Sequence, residues 1–230
     1  FWGGSLSISP ADDVIINVER SLRIQEYQKI LVSIVAKKVA LGIENILIDL
    51  PYGKGSKVEK TEDVFVLAKE FKKLFKKFGI ECETTTRKVN GPDGRGIGPN
   101  LEMREALRIL ERDGSASLEM ERAVIDMAGI LFESTNISKE GEGKVLAQEL
   151  LDSKKAYEKF WEIGFAQGAK RITKSSEIKP GNISFDVKAE KSGTVKMISS
   201  LEVVSVARSL GTPRIKEAGM YIHKMPGEKV

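Results

Sequence analysis

The polar residues best spaced for chemistry are Ser33 and Lys37. They stand four residues apart in a segment of helical periodicity, so they share one helix face, and Glu26, seven residues before Ser33, lies close to the same stripe. A hydroxyl beside an ammonium anchors a carbonyl oxygen or a phosphate. The same spacing also describes a solvated polar stripe on an amphipathic helix, and spacing alone leaves both readings open.

Two glycine clusters are the next candidates. In Gly53-Lys54-Gly55-Ser56-Lys57 the glycines would let backbone approach an anion while two lysines add charge. The Walker spacing is absent, and an ordinary strand-to-helix turn has the same composition. In Gly94-Arg95-Gly96-Ile97-Gly98-Pro99, alternate glycines precede a helix whose N-terminus could receive an anion. Tight packing of the loop against a sheet is the other reading, and the third glycine is misplaced for a dinucleotide fingerprint. Asp12 and Asp13 fit turn capping before a strand. Cys82 has no base nearby in sequence and reads as an unreactive strand or core residue. His223 reads as structural or surface. With one cysteine and one histidine in the chain, an internal disulfide is excluded, and neither a metal site nor a Ser-His-Asp triad is expected.

These residues must be positioned by regular elements. Val14–Val18 reads as a short strand, residues 25–41 as a helix stopped by Gly42, and Asn45–Leu50 as a buried strand feeding the loop 51–57. A helix from Thr61 to about Phe78, capped by the Thr61 hydroxyl, leads to a strand over 80–87. After the turn-rich stretch 88–98, Pro99 opens a helix to about Glu111. Further helices are expected over 117–132, 139–151 and 153–167. The alternation of strand and helix implies an α/β fold with a central, mostly parallel sheet and flanking helices. Ligands in such sheets sit outside the C-terminal strand ends, where the loop 51–57 falls. Residues 169–230 change character: Ser184–Ala189 and Gly193–Ile198 read as strands between Gly and Pro turns. The expected division is an α/β nucleotide-binding domain over 1–168, incomplete on its N-terminal side, and a small β-rich (α+β) domain over 169–230.

The 230 residues are 41% hydrophobic and 30% charged, a globular composition with enough apolar material for a sizeable core. No apolar run reaches the roughly 18 residues of a membrane span, and no leader-like stretch opens the chain, so a cytoplasmic setting without membrane partners is expected. Net charge is +4, and residues 169–230 hold 12 Lys/Arg against 6 Asp/Glu. Few aromatics accompany that excess, so nucleic acid is not the expected partner. The chain starts on Phe1 rather than Met and reads as part of something longer.

Several segments together resemble the thymidine phosphorylase superfamily, and within it the archaeal AMP phosphorylase branch. They are Trp2-Gly3-Gly4-Ser5-Leu6 with Ser9-Pro10-Ala11-Asp12-Asp13, Ser33-Ile34-Val35-Ala36-Lys37-Lys38, Ile48-Asp49-Leu50-Pro51-Tyr52-Gly53 with Ser56-Lys57-Val58, the stretch Gly94 to Leu107, and the tail Tyr221 to Val230. The resemblance spans essentially the whole chain, with the motifs in order. It implies phosphorolysis: phosphate attacks the anomeric carbon of a nucleotide and the base leaves, with phosphate as co-substrate and no cofactor. Donors aimed at the departing base lower such a barrier. By resemblance, Ser33 and Lys37 hold the base, Arg20 reaches it, and Lys57 binds the nucleotide.

Two departures qualify that transfer. The branch places an acidic proton donor eight residues before the serine, where this chain has Gln25; the neighbouring Glu26 is the candidate substitute. The family's phosphate-binding glycine loop and small helical domain precede the segment matching Phe1, and a closing β segment follows Val230, so the chain alone is expected to bind weakly without turnover. The full-length protein is expected to be a homo-oligomer acting on AMP, CMP or UMP. The alternatives are a pyrimidine nucleoside (thymidine) phosphorylase and a non-catalytic nucleic-acid or nucleotide binding module.

Overall fold

The computed structural model describes residues 10–22, 27–56 and 58–230, with the side chains at 12, 13, 17 and 19–21 outside that description. The chain divides into two compact units. One comprises Phe1–Leu50 and Lys60–Thr86, the other Pro51–Glu59 and Arg87–Val230.

The first unit begins with α1 (Pro10–Leu22), where a strand was expected over 14–18. Val14, Ile15, Val18 and Leu22 recur at helical spacing, and Pro10 followed by Asp12 and Asp13 is a helix-start pattern. A five-residue apolar window is too short to reveal that period. Asp12 and Asp13 therefore lie in the first turn of a helix, not before a strand.

Helix α2 (Tyr27–Ala40) buries Leu31 and Val35, and it packs on α3 (Thr61–Lys76). The Tyr27 hydroxyl donates to Asp63 at 3.3 Å, which ties the two helices at their starts. Helix α3 buries Val64, Leu67, Ala68, Phe71 and Phe75, a stripe with steps of three and four. Its cap differs from the expectation: Lys60 is the N-cap, Thr61 is the first helical residue, and no side chain caps the helix.

Strands β1 (Asn45–Tyr52) and β2 (Glu81–Lys88) form a two-stranded sheet. The Glu81 amide donates to the Glu44 carbonyl at one end, and the Val89 amide to the Tyr52 carbonyl at the other. Start pairs with start, so the strands are parallel and α3 is the crossover between them. This is the expected α/β arrangement.

In the second unit β3 (Gly96–Ile97) leads into α4 (Pro99–Glu111), with Pro99 at the first helical position as expected. Helices α5 (Leu118–Ser134), α6 (Gly143–Asp152) and α7 (Lys155–Ala166) follow. Gly129 and Gly143 face one another where α5 and α6 cross, and a Cβ on either would strike backbone of the other helix. A 3-10 turn at Ser175–Glu177 docks on α4 through Glu111, whose carboxylate accepts the amide and hydroxyl of Ser175.

Beyond residue 169 the expected strands are mostly not formed. The described residues give α8 (Ser200–Ser209), β4 (Met220–Tyr221) antiparallel to β3, and a single bridge between Thr194 and Lys229. Ile183, Phe185 and Val187 alternate as a strand would, yet they are 96%, 89% and 90% exposed. A strand needs a neighbour to take its amides and carbonyls. Backbone hydrogen bonds flank this stretch rather than span it, from the Gly181 amide to the Glu217 carbonyl on one side and between Gly193 and Val230 on the other. Val203, Ile222 and Met225 form a small core, with Ile97, Ile198 and Met220 packed against it. Among the described residues no helix is long and apolar enough to cross a membrane.

Candidate functional site

Helix α2 places Ser33 and Lys37 one turn apart on the same face, as their spacing requires, and both are half-buried. Leu31 and Val35 anchor the adjoining face against the core, which fixes the rotation of the helix about its axis. Lys37 and Lys38 fall in the last turn, where positive charge is favourable to the helix dipole. Arg20 lies near the end of α1, with its side chain outside the described structure. Gln25, Glu26 and Lys57 also lie outside the described residues.

In the second unit, the loop after β1 is closed on itself. The Gly53 amide donates to the Val58 carbonyl and the Ser56 amide to the Gly53 carbonyl, each at 3.0 Å. The Ser56 hydroxyl lies 2.7 Å from the Gly53 carbonyl and 2.6 Å from that of Val58, sharing one proton between them. The Gly55 amide donates to the Glu59 carboxylate at 2.9 Å, and the Gly55 carbonyl accepts the Leu201 amide from the first turn of α8. The glycines serve close packing. A Cβ on Gly53 would collide with the Val89 carbonyl, and one on Gly55 would meet Ser199. These three amides are thus engaged within the chain, and the Lys54 side chain is exposed.

The loop before α4 resolves in the same direction. The buried Glu105 carboxylate accepts the Arg95 amide at 3.0 Å and the Gly96 amide at 2.9 Å, while Glu102 accepts the Gly98 amide at 2.9 Å. Two carboxylates of α4 thus occupy the positions an external anion would take, and the packing reading holds. Gly98 has φ +117° and lies against the Ala218 carbonyl, so both the conformation and the space demand glycine. Arg95 reaches the carbonyl of His223 and the carboxylate of Glu228.

Cys82 on β2 is half-buried, and burial pushes its thiol up to about 11, with Lys72 opposing and Glu83 adding to the shift. It is protonated near neutrality and is no nucleophile there. His223 is exposed, with its ring edge-on to Tyr221. Glu59 and Glu105 were not foreseen from sequence. Each finds its loop amide only after the chain has folded back by four to ten residues.

No protein-family model matches the chain. Individual curated proteins do. The AMP phosphorylase of Methanocaldococcus jannaschii is 41% identical over 229 residues, and that of Thermococcus sibiricus 42% identical over 230. AMP phosphorylase 1 of Archaeoglobus fulgidus is 39% identical over 230 residues. Each match takes in 100% of this chain and 45% of the relative, so the chain spans a little under half the length of the curated relatives it matches. Along its whole length the chain is similar to curated AMP phosphorylases, in keeping with the motifs that resemble the thymidine phosphorylase superfamily.

Proposed function

We propose that this chain supplies the base- and nucleotide-binding part of an enzyme that cleaves nucleoside 5′-monophosphates (AMP, CMP or UMP) with inorganic phosphate. The products are free base and ribose 1,5-bisphosphate. The observation that carries the reading is the match at 39% to 42% identity, along the whole chain, to proteins named for that reaction.

Phosphate oxygen forms a bond to the anomeric carbon as the C–N bond to the base breaks, and the base leaves with the electron pair. Positive charge develops on the sugar and negative charge on the base. A Lys37 ammonium and a Ser33 hydroxyl donating to the base favour that charge more in the transition state than in the bound nucleotide. Arg20 adds a third donor, Lys57 meets the nucleotide's own phosphate, and Glu26 supplies the proton in place of Gln25. Phosphate is the second substrate and no cofactor is involved. The full-length enzyme works as a homo-oligomer in the cytoplasm.

One observation favours a second reading, a pyrimidine nucleoside phosphorylase. The Gly53, Gly55 and Ser56 amides of the loop after β1 are engaged internally, which takes three backbone donors away from a 5′-phosphate. Turnover of AMP and of uridine by the full-length protein, each with phosphate, separates the two. Release of base from AMP alone supports the nucleotide reading, release from uridine alone supports the nucleoside reading, and no release from either leaves a binding module.

A further inference from the structure

We infer that Glu59 is a positioning residue for nucleotide binding, holding Gly55 in the loop whose sequence carries Lys54 and Lys57. The inference rests on the reading of Lys57 as the nucleotide-binding lysine.

Tyr52 and Val58 form a parallel bridge, so the chain leaves β1, loops out after Gly53 and is back alongside itself at Val58. Inside that loop the Gly53 and Ser56 amides are closed by carbonyls of the loop itself. The Gly55 amide has no such partner, and it is taken by the Glu59 carboxylate at 2.9 Å. The Gly55 carbonyl is held from the other side by the Leu201 amide at 3.1 Å. Gly55 is therefore held through both its amide and its carbonyl, at φ +78° where only glycine is comfortable.

The physical consequence lies in entropy. Glycine-rich backbone has more freedom to lose than any other, and a loop ordered only on binding gives up affinity to do so. With Glu59 in place that freedom is removed on folding, before any nucleotide arrives. The carboxylate acts here as an acceptor, not as a charge. Its negative charge repels a phosphate, so a neutral acceptor of the same shape would serve binding equally well or better. Glutamine keeps an oxygen for the Gly55 amide, and alanine removes it.

The test is steady-state phosphorolysis of AMP by the full-length protein carrying Glu59→Ala, Glu59→Gln or Lys57→Ala, with thermal melts confirming that each variant is folded. Glu59→Ala is expected to raise KM for AMP about three- to tenfold, the worth of one hydrogen bond, with kcat and KM for phosphate within twofold of the parent. Glu59→Gln is expected to match the parent or bind AMP more tightly. Lys57→Ala is expected to raise KM for AMP further. An unchanged KM in Glu59→Ala beside a raised one in Lys57→Ala overturns the role of Glu59 and spares the reading of Lys57. An unchanged KM in Lys57→Ala overturns that reading, and the inference with it. Equal losses in Glu59→Ala and Glu59→Gln show that charge, not the hydrogen bond, matters, and also overturn it.

Discussion

Arg95 grips Glu228 with both of its terminal nitrogens, Nη2 at 2.6 Å from one carboxylate oxygen and Nη1 at 3.3 Å from the other, across 133 residues of sequence. The same carboxylate accepts the Met225 amide at 2.7 Å, and Arg95 Nη1 also donates to the His223 carbonyl. The Ile222 amide donates to the Arg95 carbonyl. The loop before α4 is thereby fastened to the last turn of the chain. The Arg95 guanidinium, followed by the Met225 amide, holds the Glu228 carboxyl below its ordinary range. A carboxyl lowered on folding contributes stability that is complete above the ordinary carboxylate range and is lost as pH falls through the lowered folded value. Thermal melts from neutral to acid pH are expected to show Glu228→Gln less stable than the parent at neutrality, with the gap closing as acid protonates the parent. A gap that persists unchanged at the acid end would show that the bridge does not carry it.

Glu105 makes a different kind of tie, because it is buried. Its carboxylate satisfies two amides, those of Arg95 and Gly96. Glu105→Ala leaves both amides without an acceptor and is expected to cost about 2 kcal/mol or more in chemical denaturation. Glu105→Gln keeps one acceptor oxygen but turns an amide group toward the second N–H, so it falls between the two. Equal stability of Glu105→Ala and the parent would mean that water replaces the carboxylate without loss.

Several features of this fold can be read directly from residue order. The stripe Val64, Leu67, Phe71 and Phe75 announces α3, and Ser33 and Lys37 must share a face on any helix. Helix α1 is concealed by a window too short to show its period. Helix α8 carries a legible signal in Ser199 followed three residues later by Glu202, a capping-box spacing, and the Ser199 hydroxyl does accept the Glu202 amide. The alternation of Ile183, Phe185 and Val187 is legible as a strand pattern, but pairing depends on a second segment and cannot be read from the first. The glycine loops show the same limit. Their composition suits an anion, and only the folded chain shows that Glu59, Glu102 and Glu105 already hold their amides.

Cys82 offers a test of local environment. Burial, with Lys72 opposing and Glu83 adding, lifts the thiol from its usual 9.0 to about 11. Alkylation by iodoacetamide, which consumes the thiolate, is expected to be slow at mildly alkaline pH and to climb only toward pH 11, whereas the unfolded chain reacts near the usual value. The same shift has a stability counterpart. The folded state keeps a proton that the unfolded state releases, so stability is complete below the usual thiol value and declines as pH rises from there through about 11. Cys82→Ser is expected to remove that part of the alkaline decline. Rapid alkylation of folded protein near neutrality would contradict the burial of the thiol.

The proposed function requires a proton donor for the departing base. Position 25, eight residues before Ser33, is glutamine here, and Glu26 follows it. If Glu26 protonates the departing base, Glu26→Gln in the full-length enzyme is expected to lower kcat for AMP by about 10²- to 10⁴-fold, the usual worth of a positioned acid. A general acid must hold its proton, so parent activity should fall as pH rises through its pKa, and that limb should vanish in the variant. Adding Gln25→Glu to Glu26→Gln probes whether the neighbouring position can take over, and recovered turnover would place both residues within reach of the base. Parent-like turnover of Glu26→Gln at every pH would exclude Glu26 as the donor and leave the base to depart as an anion held by Ser33, Lys37 and Arg20.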